Sequence, residues 1–175
     1  MNRNKGYSEV IFLRHAKTKP KENGQRDYDR ALRQPRAKQD LRLIVDAFGK
    51  HCASIKTDVL CSPSVRTRET LNTIESLGML PYYGKISFKD DLYLASAPQI
   101  EHIFVNYWLR HHPKRLVIMG HNPGLTDLAQ NISSLKIDHL PTAGLICVAH
   151  PQHAKEWDWQ AVEPKFVLIP KSLRS

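Results

Sequence analysis

The sequence predicts an α/β fold with a mostly parallel central sheet, and three observations carry that expectation. Short apolar runs at residues 10–13, 57–61 and 115–119 have strand length and are rich in branched side chains. Each is followed by a longer stretch with apolar residues at helical spacing, the alternation that builds parallel sheets. Each also hands a polar group to its carboxyl end: Arg14 and His15, then Arg66, then His121. In open α/β sheets that end is where ligands bind, so the three strand ends point to one shared site.

The first element is the strand Val10-Ile11-Phe12-Leu13, which delivers Arg14 and His15. Residues 18–29 are rich in Lys, Glu, Asn, Gly and Asp and read as an exposed loop over that strand end. Inside it, Asp27-Tyr28-Asp29-Arg30 sets acids beside a cation. A helix is expected over 35–50, with Leu41, Ile44, Val45 and Phe48 as its buried stripe.

The second strand, 57–61, leads into Ser62 as the expected N-cap and Pro63 as the first helical residue, with Leu71, Ile74 and Leu77 facing inward. Arg66 then falls in the first turn, where helix side chains lean back toward free N–H groups that attract an anion. Arg68 points elsewhere and reads as structural.

A turn over 78–84 and a short strand over 85–88 precede Lys89-Asp90-Asp91-Leu92-Tyr93. The next helix, 97–111, places Ile100, Ile103, Phe104 and either Tyr107 or Trp108 inward and ends on His111-His112, cations suited to a helix C-terminus. The strand 115–119 ends in Gly120-His121-Asn122-Pro123-Gly124, where Asn122-Pro123 reads as the cap of a helix carrying Leu125, Leu128, Ala129 and Ile132. Two antiparallel strands, 145–149 and 157–162, and an apolar tail, 166–169, close the chain.

A length of 175 residues, 41% hydrophobic and 25% charged, suits one globular domain, and one domain over residues 1–175 is the expectation. No apolar run is long enough to span a membrane, and the first ten residues lack the apolar core of a signal peptide, which points to a cytoplasmic protein. Cys52, Cys61 and Cys147 are odd in number and contain no C-x-x-C, so they read as reduced, mostly buried thiols. The net charge is +9, and between Arg14 and Lys50 eleven Lys and Arg face five Asp and Glu. That excess attracts anions, but no aromatic-interleaved basic stripe or zinc-finger spacing supports a nucleic-acid partner. A His150/His153 metal site has no acidic or cysteine ligand beside it, so neither a metal nor a cofactor is expected.

The chain has no G-x-x-x-x-G-K loop and no G-x-S-x-G elbow, which removes nucleotide clamping and serine acyl transfer. Two histidines with two or three arginines fit phosphoryl transfer to an imidazole. A neutral ring nitrogen can attack phosphorus when cations neutralise the equatorial oxygens, and arginine does this with a planar fork. The same cations should disfavour the protonated form of His15 and keep it nucleophilic.

Arg14-His15-Ala16, Ser62-Pro63-x-x-Arg66-Thr67-x-x-Thr70 and Gly120-His121-Asn122-Pro123 together resemble the motifs of the histidine phosphatase superfamily. The compact size, Asp91-Leu92-Tyr93 and the Trp157-x-Trp159 segment resemble its small SixA-type phosphohistidine phosphatase branch. The resemblance implies a three-layer α/β/α sandwich of the phosphoglycerate mutase-like kind without a large cap insertion. It implies that His15 is transiently phosphorylated while Arg14, Arg66 and His121 hold the phosphoryl group. It carries Arg30 over as a further phosphate contact, with Asn122 and Thr18 as expected substrate contacts.

Ala16 stands where much of the superfamily has glycine, and no glutamate matches the general acid of the larger mutases and acid phosphatases. Asp91 and Asp27 are the nearest candidates for that role. Imidazole leaving from phosphohistidine, with an ordinary pKa of about 6.5, needs less protonation than an alkoxide, so a weak acid position favours a phosphohistidine or phosphoprotein substrate. A general small-molecule phosphomonoesterase and a non-catalytic phosphate-binding adaptor are the alternatives.

Overall fold

The computed structural model describes residues 6–52, 55–80, 83–132, 135–152 and 154–174. One six-stranded sheet forms the middle layer, with strands β1 (Tyr7–Arg14), β2 (Thr57–Cys61), β3 (Tyr83–Phe88), β4 (Arg115–Gly120), β5 (Leu145–Pro151) and β6 (Glu163–Leu168) in the spatial order β3-β2-β4-β1-β5-β6. Strands β3, β2, β4 and β1 pair in parallel, and β5 and β6 add antiparallel pairs at one side. Helices α1 (Arg36–His51), α2 (Val65–Ser76), α3 (Ala97–His111) and α4 (Gly124–Ala129) complete the outer layers.

The pleat sorts each central strand between two cores, since successive side chains point to opposite faces. Ile11 and Leu13 of β1, Val59 and Cys61 of β2, and Val117 and Met119 of β4 meet Leu41, Ile44 and Phe48 of α1 and Leu71 and Ile74 of α2. Their neighbours Val10, Phe12, Leu60, Leu116 and Ile118 meet Ile100, Phe104 and Trp108 of α3 and Leu125 and Leu128 of α4. Because both faces are covered, the strands are apolar throughout rather than alternating, the pattern by which they were recognisable. On α3, Tyr107 and Trp108 are both buried, so the two alternatives are filled together.

Three local expectations are corrected. α2 begins at Val65 with Ser64 at its N-cap; Ser62 and Pro63 lie before the helix. Asn122 does not cap α4, whose N-cap is Pro123; the Asn122 amide donates instead to the Leu140 carbonyl at 3.0 Å. Residues 157–162 are not a strand. Trp157 and Trp159 turn under the sheet to pack edge-on against Phe104, at 5.0 and 6.1 Å between ring centroids, and Trp159–Ala161 forms a short 3-10 turn. The antiparallel partner of β5 is therefore the expected tail, extended back to Glu163, and Pro164 is tolerated there because β6 is an edge strand.

Candidate active site

Strand register sets the site before any side chain is considered. Arg14 of β1 pairs with Gly120 of β4, so His15 and His121 are the next residues of their strands and leave the sheet at one level. Cys61 pairs with Met119, and Ser62 N–H donates to the Met119 carbonyl at 3.0 Å, bringing Ser62 to that level too. The result is that the His15 and His121 rings lie 5.2 Å apart between centroids, 7% and 2% exposed.

A single partner orients each imidazole. His15 Nδ1 lies 2.8 Å from the Ala16 carbonyl, which can only accept, so Nδ1 carries the proton and Nε2 keeps its lone pair. Ala16 N–H in turn donates to Thr70 Oγ1 at 3.0 Å, and the Thr70 hydroxyl donates to the Arg66 carbonyl at 2.6 Å. The turn bearing His15 is thereby fastened to α2. His121 Nε2 lies 2.8 Å from Ser62 Oγ, while its Nδ1 is buried without a partner. A Cβ at Gly124 would overlap the Ala95 carbonyl oxygen, so the turn after His121 can pack this closely only with glycine there.

Burial is the largest influence on both rings. It lowers the His15 pKa to about 3, assisted by the charges of Arg66, Arg14 and Arg30 and opposed by the Ala16 hydrogen bond. Burial likewise lowers His121 to about 2, with His15 and Arg66 adding to the effect. Both imidazoles are neutral throughout the physiological range.

The loop over 18–29 covers the site as expected, through one carboxylate. Asp27 accepts from Arg66 Nη2 at 2.8 Å, from Arg30 Nη1 at 2.9 Å and from the Tyr93 hydroxyl at 2.9 Å, and its carbonyl accepts from Arg66 Nη1 at 2.6 Å. Burial raises its pKa, but the hydrogen bonds from Arg30, Tyr93 and Arg66 outweigh burial and hold the carboxyl at about 2. Arg30 also donates to Thr18 Oγ1 at 2.8 Å, and the Tyr28 hydroxyl donates to the Pro63 carbonyl at 2.8 Å. Arg66 itself is 3% exposed and sits 5.6 Å from the Tyr93 ring centroid.

Arg14, His15, Arg66, His121, Arg30, Thr18 and Asp27 are thus gathered at one edge of the sheet. Asn122 lies beside them, its side-chain oxygen buried without a partner. Asp91 is not gathered: it lines a groove between β3 and α3 with Lys85, Lys89, His102 and Tyr107, away from the imidazoles. As for the proton-donor role, Asp27 is ionised and committed to two arginines, and Asp91 faces elsewhere. Arg68 is structural, donating to the Pro63 carbonyl at 2.8 Å and lying over the Phe88 ring.

Three residues at this edge were not singled out for the site from sequence: Ser62 was assigned to a helix cap, and Tyr93 and His139 carried no assigned role. The register of β2 against β4 is what brings the Ser62 hydroxyl to His121. Among the described residues no cluster of His, Cys, Asp and Glu could hold a metal; His150 is buried and stacked 4.4 Å from the Trp157 ring, and His153 lies outside the described residues. No helix among the described residues is long and apolar enough to cross a membrane.

No family model matches the sequence, and no curated protein matches it by sequence. Solved structures do match. The protein histidine phosphatase SixA complexed with tungstate superposes with a TM-score of 0.74 at 15% identity, covering 95% of this chain and 99% of that one. A SixA protein from Agrobacterium tumefaciens gives 0.68 at 20% identity over 93% and 98% of the two chains. A mycobacterial glucosyl-3-phosphoglycerate phosphatase gives 0.54 at 12% identity over 93% and 98%. The fold is the phosphoglycerate mutase-like α/β/α sandwich shared by these proteins, here at the compact size of the SixA structures.

Proposed function

We propose that the protein is a phosphatase with His15 as nucleophile, acting on phosphohistidine or a related phosphoprotein. The observation that carries this reading is the His15 ring: a buried, neutral imidazole whose proton is pinned on Nδ1 and whose Nε2 lone pair stands among Arg14, Arg66, Arg30 and His121. A binding module would need the arginines; it has no need of an imidazole held in one tautomer. Two buried donors favour the same reading. Arg14 Nε has no partner, nor does His121 Nδ1, which bears a proton when Ser62 donates to Nε2. A phosphoryl oxyanion would supply the acceptors for both.

In the proposed reaction the His15 Nε2 lone pair forms a bond to phosphorus. The bond from phosphorus to the leaving nitrogen breaks, and its electron pair departs with the substrate imidazole, which leaves neutral if its second nitrogen is protonated. Arg14, Arg66 and Arg30 neutralise the equatorial oxygens. Water then attacks the phosphorylated His15, its displaced proton passing to solvent, and the electron pair of the P–N bond returns to Nε2. The lack of a protonated carboxylate at the site fits a nitrogen leaving group better than an alkoxide. The SixA likeness supports this substrate class over a sugar phosphate.

The deciding experiment offers the protein a phosphohistidine peptide and, separately, p-nitrophenyl phosphate, and quenches early in alkali. Acid-labile phosphate on His15, absent from His15→Ala, is expected, with the peptide turned over faster. Faster turnover of the aryl ester would point to a general phosphomonoesterase, and oxyanion binding without turnover to an adaptor.

Asp27 has a separate, smaller consequence. Asp27→Asn keeps the shape but removes the charge that holds Arg66 and Arg30, and about a ten- to hundredfold loss of kcat/KM is expected. Steady-state kinetics on p-nitrophenyl phosphate should show it mainly in KM if the arginines merely spread apart.

A further inference from the structure

His139 lies on the loop before β5, exposed at the rim, and its contacts are with the site. Its Nε2 is 3.0 Å from Arg14 Nη1, and the same Nη1 donates to the Leu140 carbonyl at 2.8 Å. Nη1 carries two hydrogens, and these two acceptors use both. Arg14 Nε is buried with no partner. The guanidinium is therefore tied back at Nη1, which leaves the Nε and Nη2 edge, one of its bidentate forks, for an oxyanion.

The loop itself is held from two sides. Leu140 N–H donates to Thr126 Oγ1 of α4 at 3.1 Å, and the Asn122 amide donates to the Leu140 carbonyl at 3.0 Å. The groups facing the His139 ring are Arg14 from the end of β1 and the Asn122 amide from the turn after β4, whose nitrogen is 3.5 Å from Nδ1. Asp138 and Lys136 flank it along its own loop. Among the described residues, no Asp or Glu forms an ion pair with it.

We infer that His139 is a positioning residue: as a neutral imidazole it accepts from Arg14 and fixes which edge of the guanidinium meets the phosphoryl group, and on protonation it releases that edge. A protonated ring can no longer accept at Nε2 and sets a second cation against Arg14, with no carboxylate paired to offset it. Oxyanion capture then weakens on acidification through a residue that is not the nucleophile. This inference rests on the phosphatase reading only for the identity of the ligand; the contact with Arg14 stands without it.

The test compares wild type, His139→Gln and His139→Ala from pH 5 to 8.5. The probe is inorganic sulfate, whose charge is constant over that range, scored both as an inhibitor of p-nitrophenyl phosphate turnover and by direct calorimetry. Glutamine keeps an acceptor oxygen that does not titrate. Wild type and His139→Gln should bind sulfate equally at pH 8.5, and wild type should fall about tenfold below the glutamine variant by pH 5. His139→Ala should bind weakly at every pH, with rescue by glutamine excluding a purely structural loss. Superimposable profiles for wild type and glutamine, or full affinity in the alanine variant at pH 8.5, would overturn the inference. Absence of turnover in the wild type would instead remove the phosphatase reading, while the calorimetric comparison still judges His139.

Discussion

Replacing His15 with alanine is expected to lower kcat by about ten-thousandfold, the scale on which removal of a nucleophile acts. Affinity for sulfate should change by less than about threefold, because the arginines that hold an oxyanion are fastened independently of His15. Arg66 is anchored on Asp27, Arg30 on Asp27 and Thr18, and Arg14 on Leu140 and His139. The split matters more than the loss. A ligand clamp whose histidine only packed would lose affinity and turnover together, whereas a nucleophile removed from an intact clamp loses only the chemistry. Single-turnover kinetics with p-nitrophenyl phosphate, alongside sulfate calorimetry, separate these cases. A drop in kcat of tenfold or less would mean that another group attacks phosphorus, with His121 the next to test.

Much of this site could be read from sequence because each strand end carries its own chemistry in a few adjacent residues. Val10 to Leu13 are apolar on both faces, so the strand had to be central, and the next two residues had to emerge at its end. The parallel sheet then brings His15 and His121 together without further information. What sequence could not supply was register. Whether β1 meets β4 at Gly120 or one residue away decides if the imidazoles sit side by side, and a slip by one would turn His15 into the opposite layer.

The same limit hid Ser62, which looked like a helix cap because serine before proline usually is one. Tertiary contact with His121 claimed its hydroxyl instead, and Ser64 took the N-cap. The Trp157 to Val162 segment misled for a related reason. Aromatic and branched residues suit a strand, but Trp157 and Trp159 pack edge-on against Phe104, and Trp157 against Trp108 as well, contacts that turn the segment out of strand geometry. Asp27 and Asp91 were equal candidates by composition. Only the fold gives one of them two arginines and the other an open groove.

The neutral histidine pair also carries a thermodynamic consequence: acid should destabilise this protein earlier than its carboxylates require. In the folded protein His15 is held near 3 and His121 near 2, first by burial and then by the surrounding arginines, with His15 adding to the effect at His121. In the unfolded chain both titrate near the ordinary value of about 6.5. Between pH 6.5 and about 3 the unfolded state therefore binds protons that the folded state does not, so stability falls as pH falls through 6.5. Each ring contributes about 1.4 kcal/mol per pH unit in that window, or about 4 kcal/mol for the pair by pH 5, a large share of a typical 5–15 kcal/mol.

Asp27 acts in the same direction but at lower pH. Its carboxyl, held at about 2, stabilises the fold above the ordinary carboxylate range, and that contribution is lost only as pH falls through its folded value. It therefore adds almost nothing to the loss seen at pH 5. Urea unfolding at pH 8 and pH 5 should show the loss in wild type, about half of it in His15→Asn or His121→Gln, and little in the double variant. Parallel losses in all four proteins would mean that the imidazoles accept protons inside the fold. Burial would then not be what keeps His15 unprotonated, and its nucleophilicity at neutral pH would rest on the ordinary imidazole value of about 6.5 alone.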